Sequence, residues 1–237
     1  AELRALLAHS LLAGVDIVPV SALSGAGIDR LEQHLAAAAE RSQPARASGH
    51  FRLAVDRSFS LPGIGTVVTG TAVAGRVAVG DRLVVAPGGK AVRVRGLHAH
   101  NREAASGQAG QRLALGLAGV EKDEVERGDW IVAEPVSTPT ERLDARLRVL
   151  AGEAKALAHW TPLHLHVGAA EVGARVVLLE GEPIEPGREA WVQLELDRPI
   201  GALRGDRFIV RDQSALRTVG GGRVIDPFAP RARRRKS

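Results

Sequence analysis

The block from Phe51 to Gly75, FRLAVDRSFSLPGIGTVVTGTAVAG, constrains the fold more than any other stretch of the chain. Two runs rich in β-branched and apolar residues flank a turn that carries Pro62, Gly63 and Gly65, the pattern of a β-hairpin. A charged pair, Asp56–Arg57, closes the first run. Glycine at these turn positions permits a positive φ, and Gly70 in the second run marks a bulge or a close backbone approach.

The period of two set by the hairpin continues downstream. The runs GDRLVVAP, AVRVRGLHAH, GQRLALGLAG and GDWIVAEP follow one another, separated by turns that bear Gly or Pro. Short strands at such even spacing predict a closed β-barrel or a sandwich. Ser137-Thr138-Pro139 marks a boundary, after which ERLDARLRVL, PLHLHVGAAEVGARVVLLE, EAWVQLELDRPI and GDRFIVRDQSALRTVGGGRVID repeat the style and predict a second barrel. Upstream the character differs. Leu3, Leu6, Leu7 and Leu11 have helical spacing, Val15–Val20 reads as a buried strand, and Ile28, Leu31, Leu35 and Ala38 line one face of a second helix. A helix–strand–helix unit this short cannot cover its own sheet, so it reads as the end of a larger α/β domain. Arg41–Gly49 is a linker by composition. The divisions are therefore 1–47, 48–136, 137–230 and a basic tail, 231–237.

Composition removes several classes of function. The chain of 237 residues has no Cys, which excludes disulfides, thiolate metal sites and cysteine nucleophiles. That agrees with a cytoplasmic compartment. No run reaches the roughly 20 apolar residues that span a bilayer, and no signal peptide is visible. The net charge of +5 is matched by Arg231, Arg233, Arg234, Arg235 and Lys236 alone, so the body is neutral and its charge offers no argument for an RNA-binding face.

Asp56, Arg57, His98 and Arg112 each fall at the end of, or just inside, a strand of the first barrel, which could bring all four to a common rim. On periodicity alone the simpler reading is a surface ion pair and a solvent-facing histidine. His164 and His166 alternate onto one strand face, with His159 nearby, but zinc needs three or four ligands and no carboxylate or Cys lies at ligand spacing, so no metal is expected. Gly220, Gly221 and Gly222 would weaken a strand interior and predict a bend or bulge.

Several segments resemble one family closely. FRLAVDRSF…GTVVTGTAVAG, RVRGLHAHN and AGQRLALGL resemble the second domain of the selenocysteine-specific elongation factors, members of the translational GTPases. HWTPLHLH and RDQSALRTVGGGRVID resemble strands of their third domain, and VPVSALSG followed by GAGIDRLEQHL resembles the last strand and helix of a GTPase domain. The resemblance implies a mainly β chain: two consecutive antiparallel β-barrels, domains II and III of a translational GTPase, preceded by a short α/β remnant of a P-loop GTPase domain. It implies that Asp56, Arg57 and Arg112 line a pocket for the amino acid esterified to tRNA, with His98 close by, and that Ser21, Ala22 and Leu23 are the remnant of the guanine-base loop. The implied partners are selenocysteinyl-tRNA and the ribosome, with an mRNA element reached only through domains outside this chain. GTP or GDP with Mg2+ is implied for the complete factor. The chain has no G-x-x-x-x-G-K-[ST] loop and no N-K-x-D motif, so GTP hydrolysis by this part alone is not expected. Two other readings remain open: a different tRNA carrier or barrel-bearing GTPase, and a purely structural pair of barrels.

Overall fold

In the computed structural model, residues 2–8, 12–41 and 47–231 are described. The chain divides into two compact units, Ala1–Pro44 and Ala45–Ser237.

The first unit holds α1 (Glu2–Leu7) and α2 (Ile28–Arg41). Ile28 and Leu31 of α2 are half-buried, but Leu35 is 60% exposed and Ala38 is also exposed. The expected strand at Val15–Val20 does not form. A strand exists only by ladder bonds to a neighbour, and no other strand of this unit is described for it to pair with. Between that segment and α2 a tight loop closes on itself: Ser21 N–H donates to the Ala26 carbonyl at 2.9 Å and Gly25 N–H to the Ser21 carbonyl at 2.9 Å. Gly27 (φ +77°) follows, where a Cβ would strike the Pro19 carbonyl. Leu11, part of the Arg41–Gly49 linker (residues 42–46) and all but the first residue of the basic tail lie outside the described residues.

The second unit is almost entirely β, as its alternation predicts. Its first half comprises β1 (Arg52–Leu61), β2 (Gly65–Ala74), β3 (Arg76–Ala78), β4 (Arg82–Ala86), β5 (Lys90–Ala99), β6 (Arg102–Glu103), β7 (Ser106–Gln108), β8 (Arg112–Ala118) and β9 (Trp130–Val132). The order β4-β9-β1-β2-β8-β5, closed by β4 pairing with β5, makes a six-stranded antiparallel barrel. Leu53, Val55, Val68, Leu97, Leu113, Leu115 and Ile131 fill it and are essentially inaccessible to solvent. Each such side chain contributes about 1.5–3 kcal/mol by leaving water.

The second half comprises β10 (Thr140–Val149), β11 (Pro162–Val167), β12 (Ala170–Leu178), β13 (Glu189–Ile200), β14 (Arg207–Arg211) and β15 (Thr218–Asp226). These close in the order β10-β13-β12-β11-β14-β15 around Leu143, Leu147, Leu165, Val176, Leu194, Val210 and Val224. Gly220–Gly222 do not bend or bulge. They pair in regular register with Val149, Arg148 and Leu147, and the register shifts fall on either side of them. Their role is close approach: a Cβ on Gly222 would stand 2.8 Å from Phe208 Cζ and overlap the Arg146 carbonyl.

Between the barrels Trp130 is 4% exposed. It reaches the second barrel at Gly168 and Gly201, where an added Cβ would lie 2.7 and 2.9 Å from the indole. The Arg52 guanidinium lies 4.3 Å from the Trp130 ring and forms a two-pronged ion pair with Asp206, both contacts at 2.8 Å.

Candidate functional site

The residues singled out on the first barrel gather on its outer wall. Asp56 does not end its strand: β1 continues to Leu61, and Asp56 is the extra residue of a β-bulge. Val55 pairs with Gly70 and Arg57 with Thr69, so both Asp56 and Arg57 oppose Thr69. Two consecutive side chains therefore point outward where a regular strand would turn one into the core. The bulge is held from behind, because Val55 N–H donates to the Asp129 carbonyl at 2.9 Å and the Val55 carbonyl accepts from Gly128 N–H at 3.0 Å. On the partner strand Gly70 leaves room: a Cβ there would stand 2.7 Å from Leu53 Cδ2 and overlap the Ala54 carbonyl.

Thr69 pairs in turn with Ala114, and Ala114 with His98, so Arg57, Thr69, Ala114 and His98 form one row across β1, β2, β8 and β5. Arg112 stands two residues from Ala114 on the same face. Its guanidinium binds both oxygens of Asp56, with Nη2 donating to Oδ1 at 3.0 Å and Nη1 to Oδ2. The Arg112 hydrogen bonds are the largest cause holding the Asp56 carboxyl below the usual carboxylate range; partial burial opposes them, and Thr69 and the Arg57 charge act with them.

Asp56, Arg57 and Arg112 thus share one neighbourhood. His98 is exposed and lies three strands from Arg57 around the closed barrel, but only one strand from Arg112, because it pairs with Ala114. Arg112 opens β8 and His98 is the last residue but one of β5, as expected, whereas β1 runs on to Leu61 and leaves Asp56 and Arg57 inside their strand. Sequence reasoning missed Thr69, whose hydroxyl donates to Asp56 Oδ1 at 2.8 Å and accepts from Arg112 Nη2 at 3.3 Å. A threonine in a Val/Thr-rich strand gives no signal that separates it from an ordinary strand former.

Elsewhere, Ser21 is half-buried and its hydroxyl accepts from Ser24 N–H at 3.2 Å, while the amides of Ala22 and Leu23 have no partner among the described residues. The sequence holds no G-x-x-x-x-G-K-[ST] loop beside them, so these residues do not fit a complete GTP–Mg2+ site. His164 Nδ1 lies 3.2 Å from Glu171, a carboxylate that spacing alone did not reveal, and its Nε2 lies 3.2 Å from the Gln213 carbonyl. His159 Nδ1 accepts from Leu178 N–H at 3.2 Å. Among the described residues no group of three or more His, Asp or Glu could hold a metal ion.

Comparison with known proteins agrees with this architecture. Residues 144–231 match the family described as "Selenocysteine-specific elongation factor, beta-barrel domain", and residues 65–132 match "Elongation factor Tu domain 2". The selenocysteine-specific elongation factor of Desulfomicrobium baculatum is 40% identical over 98% of this chain. The chain is a relative of the selenocysteine-specific elongation factors. It spans 37% of the length of the Desulfomicrobium factor and 33% of that of Escherichia coli strain K12, which is 40% identical over 91% of the chain. The crystal structure of a bacterial selenocysteine-specific elongation factor, EF-Sec, superposes with a TM-score of 0.80 at 26% identity, covering 99% of this chain and 37% of that one. The two barrels of these elongation factors are therefore the fold of this chain. No helix among the described residues is long and apolar enough to cross a membrane.

Proposed function

We propose that this chain is the part of a GTP-dependent elongation factor that holds selenocysteinyl-tRNA for delivery to the ribosome, with the aminoacyl end at Asp56, Arg57 and Arg112. The observation that carries the reading is the placement of two guanidinium groups and one carboxylate on the bulged wall of the first barrel. A selenol is far more acidic than a hydroxyl and is anionic at neutral pH, so arginine forks give it charge-assisted bonds that serine cannot match. A hydrogen bond to a charged group contributes about 1.5–3 kcal/mol, enough for roughly 10- to 100-fold preference. Asp56 is suited to accept from the α-ammonium of the ester. His98 ends the row on β5 and can meet the acceptor end of the tRNA. In the complete factor GTP and Mg2+ would bind the GTPase domain, with Ser21–Leu23 meeting the guanine base, and the mRNA element would be met by domains beyond the barrels.

The match to domain 2 of elongation factor Tu favours one second reading, a general aminoacyl-tRNA carrier without preference. The rate of spontaneous ester hydrolysis separates the two. With the chain joined to a complete GTPase domain and GTP present, selenocysteinyl-tRNA is protected at lower protein concentration than seryl-tRNA. Equal protection of both esters overturns the selective pocket and supports the general carrier.

A further inference from the structure

Asp56, Thr69 and Arg112 form a closed ring of side chains drawn from three adjacent strands. In the free protein the anion-binding Arg112 is already neutralised by Asp56. A selenocysteinyl ester brings both a cation, its α-ammonium, and an anion, its selenolate, so it can exchange with this internal pair. A seryl ester brings only the cation and leaves Arg112 without a counter-charge. The exchange has a structural requirement. When Arg112 turns to the selenolate, Asp56 loses two of its three side-chain hydrogen bonds and keeps the one from Thr69.

Thr69 is the member least able to move. Its β-branched side chain is stiff at χ1. Its backbone is paired on both sides, to Arg57 and Ala114, and the next residue, Gly70, is pressed against Leu53 and the Ala54 carbonyl. Arg112, by contrast, is a long side chain that is 56% exposed. We propose that Thr69 is a positioning residue for the aminoacyl pocket: its hydroxyl keeps the Asp56 carboxylate aimed at the α-ammonium while Arg112 changes partner. The proposal rests on the pocket reading above and adds to it a neutral group, on the central strand of the three, on which discrimination depends.

The test compares Thr69→Val, Thr69→Ser and wild type, again with the GTPase domain joined. The ratio of protection of selenocysteinyl- over seryl-tRNA falls at least about tenfold in Thr69→Val, the loss of one hydrogen bond to a charged group, and Thr69→Ser restores it. A second readout needs no tRNA: the Asp56 carboxyl, followed by carbon NMR in the 237-residue chain, titrates at higher pH in Thr69→Val than in wild type. If Thr69→Val fails to fold, Thr69→Ala takes its place in both measurements. An unchanged ratio in a folded variant overturns the proposal. If wild type itself shows no preference, the pocket reading fails, and the titration alone decides whether Thr69 positions Asp56; an unchanged titration then overturns it as well.

Discussion

Arg52 and Asp206, 154 positions apart in the sequence, meet in a two-pronged ion pair between the barrels, with both guanidinium–carboxylate contacts at 2.8 Å. The pair is largely buried, with side chains 9% and 18% exposed, and Arg52 also lies against the Trp130 ring. Removing one partner of a buried pair strands the other charge, at a cost of about 3–5 kcal/mol. Arg52→Ala should therefore lower the melting temperature and split one calorimetric transition into two as the barrels uncouple. Arg52→Lys should rescue little, because a lysine offers neither the fork nor the flat stacking surface.

Acid should act on the bulged wall. The folded Asp56 carboxyl titrates below its unfolded value, chiefly through Arg112. Its contribution is present above the ordinary aspartate pKa of about 3.9 and is lost as pH falls through the folded value. The pair is substantially exposed, so Asp56→Asn should change the melting temperature little at pH 7. Below about pH 4 the variant should lose less stability than wild type. Parallel loss in both proteins would show that Asp56 plays no part in acid sensitivity.

His166 should act in a different pH window. Burial lowers its folded pKa, with help from Arg211 and His164 and against Glu171. Both states are neutral above about pH 6.5, so the residue costs nothing there. As pH falls the unfolded chain takes the proton first and stability drops. His166→Gln should flatten the melting temperature between pH 7 and pH 5, measurable by circular dichroism in low-salt buffers.

Gly70→Ala tests the backbone of the proposed pocket. The new methyl would overlap the Ala54 carbonyl and stand 2.7 Å from Leu53 Cδ2, neither of which is free to give way. Overpacking of this kind costs typically about 1–3 kcal/mol. The expected result is a lower denaturation midpoint together with weaker selenocysteinyl-tRNA protection, since the same shift moves Thr69 and Asp56.

Much of this was legible in the residues. Alternation in GTVVTGTAVA predicts β2 because the barrel wall is buried on one face only, and Asp56, Arg57 and Arg112 were legible as candidates on strand positions. What escaped was anything set by pairing. The Val15–Val20 run is apolar enough for a strand, yet apolarity cannot supply a ladder partner. The bulge at Asp56 adds one residue to one strand, an offset visible only against β2. Arg52, Trp130 and Asp206 carry no local signal that they will meet. Gly220–Gly222 look like a break in sequence and prove to be where three backbones crowd together.

The one-residue bulge in β1 also limits how the proposed pocket could be moved to another scaffold. Transplanting Asp56, Arg57, Thr69 and Arg112 onto an evenly paired barrel would send one member of the Asp–Arg doublet inward, against the hydrophobic filling. A recipient must accept the insertion, the bare Gly70 opposite it and the Gly128–Asp129 brace behind it as one cassette. Conversely, deleting a single residue at the bulge would restore even alternation and turn one member of the doublet inward, while leaving Thr69 and Arg112 on their own strands.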